Sequence, residues 1–353
     1  MKIAPLMEAY RACPEIEPLL VHTGQHYDKV MSELFFDELG IPRPDINLEV
    51  GSGTHAVQTA EIMKRFEPVV VERKPDLVLV VGDVNSTVAC ALVARKLGVP
   101  VAHVEAGLRS GDESMPEEIN RKLTDAISSE CFVTEESGLY HLGREGVPAS
   151  RVHFVGNVMI DTLLKHLERA RKSGKLAELG LSPQGYAVMT LHRPSNVDDA
   201  ATLSKLLEAI DVVQQDMPII FPCHPRTRGR IEGLGLGGRL AAMGNLRLID
   251  PQGYLDFLCL TASARLVLTD SGGIQEETTI LKVPCLTLRE NTERPVTCTV
   301  GSNQLVGTDP ARILAAYRRV QQGQVRCDVP PLWDGRAAGR IVELLIGRGR
   351  VGS

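Results

Sequence analysis

The sequence predicts an α/β protein of two doubly wound lobes, each built on a parallel β-sheet. The chain has 353 residues, which at about 100–200 residues per domain argues for two domains. Short apolar runs alternate with helix-length segments almost throughout, as is typical of parallel sheets covered by helices on both faces. The alternation stops and restarts across 163–183, a segment that is helical and charged and then turn-like. We therefore predict an N-terminal lobe at 1–162 and a C-terminal lobe at 163–333.

The composition indicates a folded protein and argues against several kinds of partner. Hydrophobic residues make up 43% of the chain and charged residues 24%, with a formal net charge of −5. No basic block stands out to neutralise phosphates, so we expect no nucleic-acid partner. No apolar run approaches the roughly 18 residues of a membrane helix, and no signal peptide opens the sequence, so we expect no membrane partner.

The eight cysteines are scattered along the chain, and none forms a C-x-x-C pair. Their spacing therefore gives no support for a zinc site or for dithiol chemistry. Most lie in apolar runs, where a thiol behaves as a small hydrophobic side chain. We predict buried, reduced thiols and a cytoplasmic location.

The first lobe opens with an amphipathic helix at 3–10. Apolar residues at positions 3, 6, 7 and 10 give the i, i+3, i+4, i+7 spacing of one helix face. No strand precedes this helix, although an alternating α/β chain usually opens with one. A short buried strand is expected at 19–22. Continuous apolar runs predict the remaining strands of this lobe at 77–81, 99–104, 131–134 and 152–155.

The second lobe repeats the pattern. Apolar runs predict its strands at 187–190, 219–221, 246–249, 266–269 and 285–288. A helix is expected at 274–281, directly after the strand at 266–269 and its glycine-containing turn. A last amphipathic helix, at 335–345, follows Pro330 and Pro331, and its pattern alone leaves open which lobe it packs against.

Polar side chains follow the predicted strands in both lobes. A doubly wound lobe binds its ligand outside the carboxyl ends of its strands, so these residues are the candidates for a site. The group comprises three carboxylates and two imidazoles: Asp83, Glu105, Glu117, His192 and His224. Taken singly, each could be a helix cap or a favourable charge at a helix end. Taken together, they are the groups that general acid–base catalysis requires.

The turn at 270–273 predicts a phosphate site. Gly272 and Gly273 allow a backbone to approach a ligand closely, and the following helix offers free N–H groups at its positive end. Glu277, one turn into that helix, can reach back to the sugar hydroxyls of the same nucleotide. A plain strand–turn–helix connection is the alternative reading of this segment.

Two other patterns do not support a site. The segment 233–238 matches G-x-G-x-x-G, but it follows a polar helical stretch and not a strand, so it predicts no NAD site. His22 and His26 share helical spacing, but 23–25 reads as a loop. We therefore expect no metal there.

Eight motifs in order along the chain carry a resemblance to a known family. They are His22–His26, Gly82–Asp83, His103–Gly111, Pro116–Arg121, Gly156–Asp161, Leu191–Arg193, Asp270–Glu277 and Thr292–Pro295. Each is weak alone, but the ordered set is specific. Over nearly its whole length the chain resembles the non-hydrolysing UDP-N-acetylglucosamine 2-epimerase family.

The resemblance implies two Rossmann-like lobes facing a cleft, the GT-B type of fold, with the last helix, 334–353, crossing back to the N-terminal lobe. It also implies reversible interconversion of UDP-N-acetylglucosamine and UDP-N-acetylmannosamine without a cofactor, in a cytoplasmic homodimer that supplies surface polysaccharide assembly. Family members open with a strand and Gly-Thr-Arg-Pro-Glu, whereas this sequence starts at a position just after them. We therefore expect the first strand of the N-terminal lobe to be missing.

The resemblance further implies the mechanism and the site residues. In the family, UDP leaves C1 while a base removes the C2 proton, and UDP adds back to the resulting 2-acetamidoglucal after reprotonation from the opposite face. The positions that match the family's catalytic residues are Asp83, Glu105, Glu117 and His192. The positions that match its substrate-binding residues are Lys2, Gln25, His26, Arg109, Arg193, His224, Phe257, Ser271, Gly272, Gly273 and Glu277.

Several alternatives stay open. After the His-Arg motif, many bacterial members have Arg-Glu-Asn where this chain has 194–196 as Pro-Ser-Asn, so activation by a second substrate molecule is undecided. A hydrolysing relative would release N-acetylmannosamine and UDP. A glycosyltransferase would need fewer carboxylates than this chain carries. A chain lacking the first strand could also bind UDP-sugars without turnover.

Overall fold

A computed structural model describes residues 1–24 and 36–349 of the chain. It divides into two compact units. The N-terminal unit consists of Met1–Thr162 together with the C-terminal segment from Pro331, and the C-terminal unit is Leu163–Pro330.

The strands are β1 (Val21–His22), β2 (Ile46–Asn47), β3 (Val78–Val81), β4 (Val101–Ala106), β5 (Glu130–Val133), β6 (Val152–Phe154), β7 (Ala187–Thr190), β8 (Ile219–Pro222), β9 (Leu246–Ile249), β10 (Leu266–Thr269), β11 (Cys285–Thr287) and β12 (Asn303–Leu305). The short strands β2 and β12 were not predicted. Neither is marked by a long apolar run, since a two- or three-residue strand is defined by its pairing with a neighbour and not by its own sequence.

The helices are α1 (Ile3–Arg11), α2 (His55–Arg73), α3 (Asn85–Lys96), α4 (Pro116–Ile127), α5 (Glu136–Arg144), α6 (Val158–Arg171), α7 (Lys175–Glu178), α8 (Pro194–Val197), α9 (Ala200–Asp216), α10 (Pro225–Gly233), α11 (Gly237–Ala241), α12 (Tyr254–Ser263), α13 (Gly272–Leu281), α14 (Val296–Thr299), α15 (Pro310–Gln321) and α16 (Ala337–Gly349). None of the described helices is long and apolar enough to cross a membrane.

The N-terminal unit is built on a parallel sheet in the order β3-β4-β5-β6, with β1 and β2 forming a separate parallel pair. Helices cover both faces of the four-stranded sheet. Leu6 of α1 and Ile341 of α16 pack on one face, and Ile62 of α2 packs on the other. Because both faces are covered, all six residues of β4 are buried, including its polar ones.

The C-terminal unit has a six-stranded parallel sheet in the order β12-β11-β10-β7-β8-β9. Alternate residues of β7 enter two cores, Met189 on one face and Val188 on the other. The strand order reverses between β7 and β10, which pair through Thr190 and Thr269. Ligands of doubly wound sheets bind at such a reversal, so the residues that follow these two strands are placed for function.

The last helix belongs to the N-terminal unit, and three hydrogen bonds explain why. The carboxylate of Asp161 accepts the backbone N–H of Ala337 at 3.2 Å and of Ala338 at 2.8 Å, at the start of α16. The Trp333 indole Nε1–H donates to the carbonyl of Thr134 at 2.9 Å. Residues 331–333 therefore belong to the N-terminal unit, whereas the sequence had placed them in the second lobe.

We expect Asp161→Asn to lower the free energy of unfolding by about 1–2 kcal/mol, because it removes one of two acceptors and the negative charge at a helix N-terminus. Urea unfolding measures the change. The matched control is Asp334→Asn, which breaks an exposed ion pair with Arg340 beside the same helix and should cost under about 1 kcal/mol. Equal losses in the two variants would contradict the role given to Asp161.

The cysteines form no disulfide. Six of the eight are buried, and Cys298 and Cys327 are partly exposed. Burial raises the pKa of Cys90 and of Cys285 to about 12, so these thiols stay protonated at neutral pH. The prediction of buried thiols is thus confirmed for six positions and is wrong for two.

Candidate active site

Asp83 follows β3 and is held by donors on two sides. Its Oδ2 accepts from Arg121 Nε at 3.0 Å and from Nη2 at 2.6 Å, and its backbone carbonyl accepts from Asn120 Nδ2 at 2.9 Å. The side chain keeps 26% of its surface exposed. The carboxylate is therefore fixed in direction and still reachable by a ligand.

Glu105 lies within β4, whereas its sequence position had predicted that it follows the strand. The pairing of β4 with β5 shifts register between Val104 and Ala106, and Glu105 there has a φ of +72°. Such a conformation is strained for a residue with a side chain, and strain of this kind is concentrated at functional sites. The Glu105 carboxylate, 2% exposed, pairs with Lys2 Nζ at 2.6 Å.

Glu117 and Glu118 stand side by side in the first turn of α4 and have different environments. Glu118 is buried and accepts from the backbone N–H of Ser110 and Gly111 and from Arg121. Burial favours its neutral form, but these donors outweigh burial and lower its pKa. Glu117 is partly exposed and makes no hydrogen bond or ion pair with any residue that the structure describes. Of the two carboxylates, that of Glu117 is therefore the one without a described partner.

Of three predicted binding residues in the N-terminal unit, the structure describes one. Gln25 and His26 lie outside the described residues. Arg109 is described, and its guanidinium is engaged inside the protein. It contacts Asp125 Oδ2 at 2.8 Å and both carboxylate oxygens of Glu145. The geometry therefore ties Arg109 to Asp125 of α4 and to Glu145 at the end of α5.

His192 follows β7 and Asp270 follows β10, so the strand reversal brings them together. His192 Nδ1 lies 2.8 Å from Asp270 Oδ1, and the Asp270 carboxylate also accepts the backbone N–H groups of His192 and Arg193. Burial would raise the pKa of Asp270, but the bonds from His192 and Arg193 outweigh it and lower that pKa. Asp270 thus orients the imidazole, whose side chain is 56% exposed, and leaves Nε2 for a ligand.

The N-terminus of α13 has the features of an anion site. The helix begins at Gly272, two residues earlier than predicted, so Gly272 and Gly273 both belong to its first turn. Ser271 at the N-cap forms no side-chain cap, which leaves the first N–H groups of the helix without that partner. A Cβ on Gly272 would lie 2.5 Å from Glu293 Oε1. Only glycine fits here without displacing that carboxylate.

Arg193 lies beside this helix end. Its Nε donates to the Asp270 carbonyl at 3.3 Å, and its Nη2 is 4.0 Å from Glu293 Oε1. About a quarter of its side chain remains exposed, so the guanidinium can reach an anion at the α13 N-terminus.

The remaining predicted nucleotide contacts lie on two other helices. Phe257, partly buried, lies on α12. His224 is exposed and caps α10, where its Nδ1 accepts the backbone N–H of Arg226 at 3.3 Å. The cap leaves Nε2 as the imidazole atom that could contact a ligand.

Glu277 is buried in the second turn of α13, and its Oε1 has no hydrogen-bond partner among the described residues. Burial, together with the charge of Glu276, raises the pKa of Glu277 to about 8. The carboxyl is therefore mostly protonated at neutral pH and can both donate and accept a hydrogen bond. That suits a partner with hydroxyl groups.

We expect the raised pKa of Glu277 to appear as a pH-dependent loss of stability. An unfolded glutamate ionises near pH 4.5 and the folded one near 8, so the free energy of unfolding falls between these values, by as much as about 4 kcal/mol. Glu277→Gln should match the wild type below pH 4.5 and be more stable at pH 8, as measured by urea unfolding across this range. Exposed Glu208→Gln is the control with no change. Parallel curves for the wild type and Glu277→Gln would contradict the assignment.

Four charged residues of the site were not singled out from the sequence: His103, Arg121, Asp125 and Asp270. All of them but Asp125 do lie in the quoted motifs, and the spacing of Glu118 and Arg121 is that of an i, i+3 ion pair. His103 sits in an apolar run, and a polar residue in a buried strand is the signal that could have found it. Among the described residues, no group of three or more His, Cys, Asp or Glu is arranged to hold a metal ion.

Known proteins resemble this chain over nearly its whole length. A profile of the UDP-N-acetylglucosamine 2-epimerase family matches residues 8–346. The UDP-N-acetylglucosamine 2-epimerase of Methanocaldococcus jannaschii is 43% identical over 350 residues, covering 98% of this chain and 95% of the relative. The UDP-2,3-diacetamido-2,3-dideoxy-D-glucuronate 2-epimerase of Pseudomonas aeruginosa is 42% identical over 334 residues, covering 94% and 91%.

A crystal structure of the Methanocaldococcus jannaschii UDP-GlcNAc 2-epimerase in complex with UDP-GlcNAc and UDP matches with a TM-score of 0.89 at 43% identity, covering 98% of this chain and 96% of that chain. The predicted fold class is thus confirmed: two parallel-sheet lobes of the GT-B type, in an enzyme that acts on nucleotide sugars. The chain belongs to the UDP-N-acetylglucosamine 2-epimerase family.

Proposed function

We propose that the protein interconverts UDP-N-acetylglucosamine and UDP-N-acetylmannosamine by reversible, non-hydrolysing epimerisation at C2. The observation that carries the proposal is the set of three carboxylates with different environments in the N-terminal unit. Asp83 and Glu105 are each held by a cation, and Glu117 has no such partner among the described residues. Binding of a sugar needs no such set, whereas removing and returning a proton does.

The C2 proton has no neighbouring carbonyl to acidify it, so its removal must be coupled to loss of a leaving group. A carboxylate takes the proton, the C2–H electron pair forms the C1=C2 bond, and the C1–O pair leaves with UDP. Reprotonation of C2 from the opposite face and return of the UDP oxygen to C1 complete the cycle. No bond to water forms, and no external oxidant is needed.

The environments of the three carboxylates suggest a different catalytic role for Glu117 than for the other two. Asp83 and Glu105 are each paired with a fixed cation, and carboxylates held in this way are suited to stabilise positive charge developing on the sugar ring. Glu117 has no described cation partner and stands at a helix N-terminus, which suits it to exchange a proton.

The C-terminal unit supplies the groups suited to the nucleotide. His192, oriented by Asp270, would face the departing diphosphate with Nε2, and Arg193 would neutralise part of its charge. The first turn of α13, beginning at Gly272, would bind the diphosphate through backbone N–H groups.

Three further residues of the C-terminal unit would contact the nucleotide. Protonated Glu277 would bind the ribose hydroxyls, and Phe257 would pack against uracil. His224, exposed at the start of α10, would contribute through Nε2.

The Pseudomonas aeruginosa relative indicates a second candidate substrate, the UDP-sugar in its name. The substrate in that relative's name shares the UDP group and the 2-acetamido substituent, so the same elimination chemistry would serve it. Discrimination between the two sugars would depend on groups around C3 and C6.

Incubation with each UDP-sugar in D2O, followed by NMR of the products, tests the proposal. We expect deuterium at C2 and UDP-N-acetylmannosamine as the product from UDP-N-acetylglucosamine. Free N-acetylmannosamine and UDP as the main products would indicate a hydrolysing enzyme. Turnover only of the diacetamido-glucuronate would reassign the substrate. A UDP-induced rise in melting temperature without any deuterium incorporation would indicate a binding protein.

We also propose a cytoplasmic homodimer that supplies activated N-acetylmannosamine for surface polysaccharides, as the family resemblance implies. An exposed apolar surface of the N-terminal unit is consistent with subunit contact. Its groove of about 420 Å³ is lined in part by Ala60 and Met63 of α2 and by Ile119 of α4, and Ile119 is 49% exposed. Light scattering that gave the mass of a single chain at micromolar concentration would contradict the dimer.

A further inference from the structure

We propose that the buried His103–Asp125 pair is a positioning element that holds both Asp83 and Glu105 in place and so controls the rate of C2 proton transfer without touching the sugar. The inference rests on the epimerase function proposed above. Both side chains are buried, with 0% and 1% of their residue surfaces exposed, so neither can contact a substrate. Their influence must pass through the residues that they hold.

The carboxylate of Asp125 bonds to the chain on both sides of Glu105, the strained residue of β4. Its Oδ1 lies 2.6 Å from His103 Nδ1, two residues before Glu105, and its Oδ2 accepts the backbone N–H of Gly107 at 3.0 Å, two residues after. The register shift and the positive φ of Glu105 lie between these two anchors. A single carboxylate thus spans the bulge that directs the Glu105 side chain.

His103 extends the same support to Asp83. Its Nε2 lies 2.9 Å from the carbonyl oxygen of Gly82, which can only accept. That carbonyl belongs to the peptide plane joining Gly82 to Asp83, so the bond sets the direction in which the chain enters Asp83. The Gly82 N–H is also held, by the Val104 carbonyl at 3.0 Å.

Both ring nitrogens of His103 must therefore donate, which requires the imidazolium form. Desolvation alone would lower the pKa of His103, but Asp125 facing it, the Gly82 carbonyl and the nearby Glu105 outweigh burial and raise that pKa. Arg109 completes the surroundings, since it contacts Asp125 Oδ2 at 2.8 Å and balances the carboxylate charge. The pair is thus a charged, fully bonded unit and not a neutral packing contact.

Asp125→Asn tests the inference, with Asp161→Asn as the matched control. Each removes the charge of a buried aspartate in the N-terminal unit that accepts from the backbone, and the described hydrogen bonds of Asp161 go to α16 and not to β3 or β4. Turnover of UDP-N-acetylglucosamine with hydrogen or deuterium at C2 measures kcat, KM and the primary isotope effect for each variant.

For Asp125→Asn we expect kcat to fall by about 10²-fold, because displacements near 1 Å have that effect. KM should change less than about threefold, and the isotope effect should rise because C–H cleavage becomes the slow step. Asp161→Asn should lower stability and leave kcat per folded enzyme and the isotope effect unchanged. A wild-type isotope effect in Asp125→Asn, or the same rise in both variants, would overturn the proposal.

A measurement on the wild type covers the case in which Asp125→Asn does not fold or the wild type does not epimerise. In ¹⁵N-histidine NMR spectra at pH 7–8, His103 should carry protons on both ring nitrogens. A neutral His103 could not donate to both Gly82 and Asp125 and would contradict the proposed pair, whatever reaction the protein catalyses.

Discussion

Replacing Asp83 by asparagine is expected to lower kcat for C2 epimerisation by about 10²–10³-fold, the range that loss of one positioned electrostatic stabiliser costs. Asparagine has the same size and can still accept a hydrogen bond from Arg121, so the fold should be retained. What is lost is the negative charge, on which stabilisation of a cationic sugar depends. Initial rates of UDP-N-acetylmannosamine formation measure the effect.

UDP binding should change little in Asp83→Asn, because the proposed nucleotide contacts all lie in the C-terminal unit. Calorimetric titration with UDP checks this. Asp45→Asn is the matched control: its carboxylate also lies in the N-terminal unit, but among the described residues it accepts only the Leu20 N–H, at 2.7 Å, beside the β1–β2 pair. Turnover of Asp83→Asn within twofold of this control would remove Asp83 from the catalytic group.

Gly272→Ala is expected to weaken UDP binding by at least about 10²-fold, or roughly 2.7 kcal/mol. The added Cβ would lie 2.5 Å from Glu293 Oε1, and Glu293 is buried and held by Arg289 Nη2 at 2.9 Å. Since the carboxylate has little room to move, the first turn of α13 must shift. The methyl group also covers backbone N–H groups that would bind the diphosphate. Titration with UDP measures the loss.

Gly238→Ala is the control for that substitution. Gly238 lies in α11, within the segment that matches G-x-G-x-x-G, and a Cβ there meets nothing within 4 Å. UDP binding should be unchanged in this variant. Equal weakening by both substitutions would indicate a general loss of stability, and full UDP affinity in Gly272→Ala would remove the α13 N-terminus from the nucleotide site.

Much of the fold could be predicted because each strand of a doubly covered sheet is a continuous apolar run. The strands β7, β9 and β10 have their predicted bounds, since each is a mostly apolar run between polar segments. Strand ends were less predictable where polar residues belong to the sheet. The strand β4 extends to Ala106 and includes Glu105, which the polarity of that side chain had placed outside.

The candidate site also has features that the sequence predicted and features that it did not. Local pattern indicated the Asp270–Gly273 turn and the carboxylates at strand ends, because a residue's position relative to a strand can be read from neighbouring residues. It gave no sign that Arg109 is engaged by Asp125 and Glu145, because those partners are 16 and 36 positions away in the chain and meet it only in the folded unit.

The sequence by itself therefore determined the two-lobed α/β fold, the order of its strands along the chain and the residues carried at their ends. Only the tertiary structure decided which charges pair: Lys2 with Glu105, Arg121 with Asp83 and His192 with Asp270. The reason is physical. Apolar periodicity is a local property of the chain, whereas the reactivity of a carboxylate depends on burial and on partners that long-range packing brings within hydrogen-bonding distance.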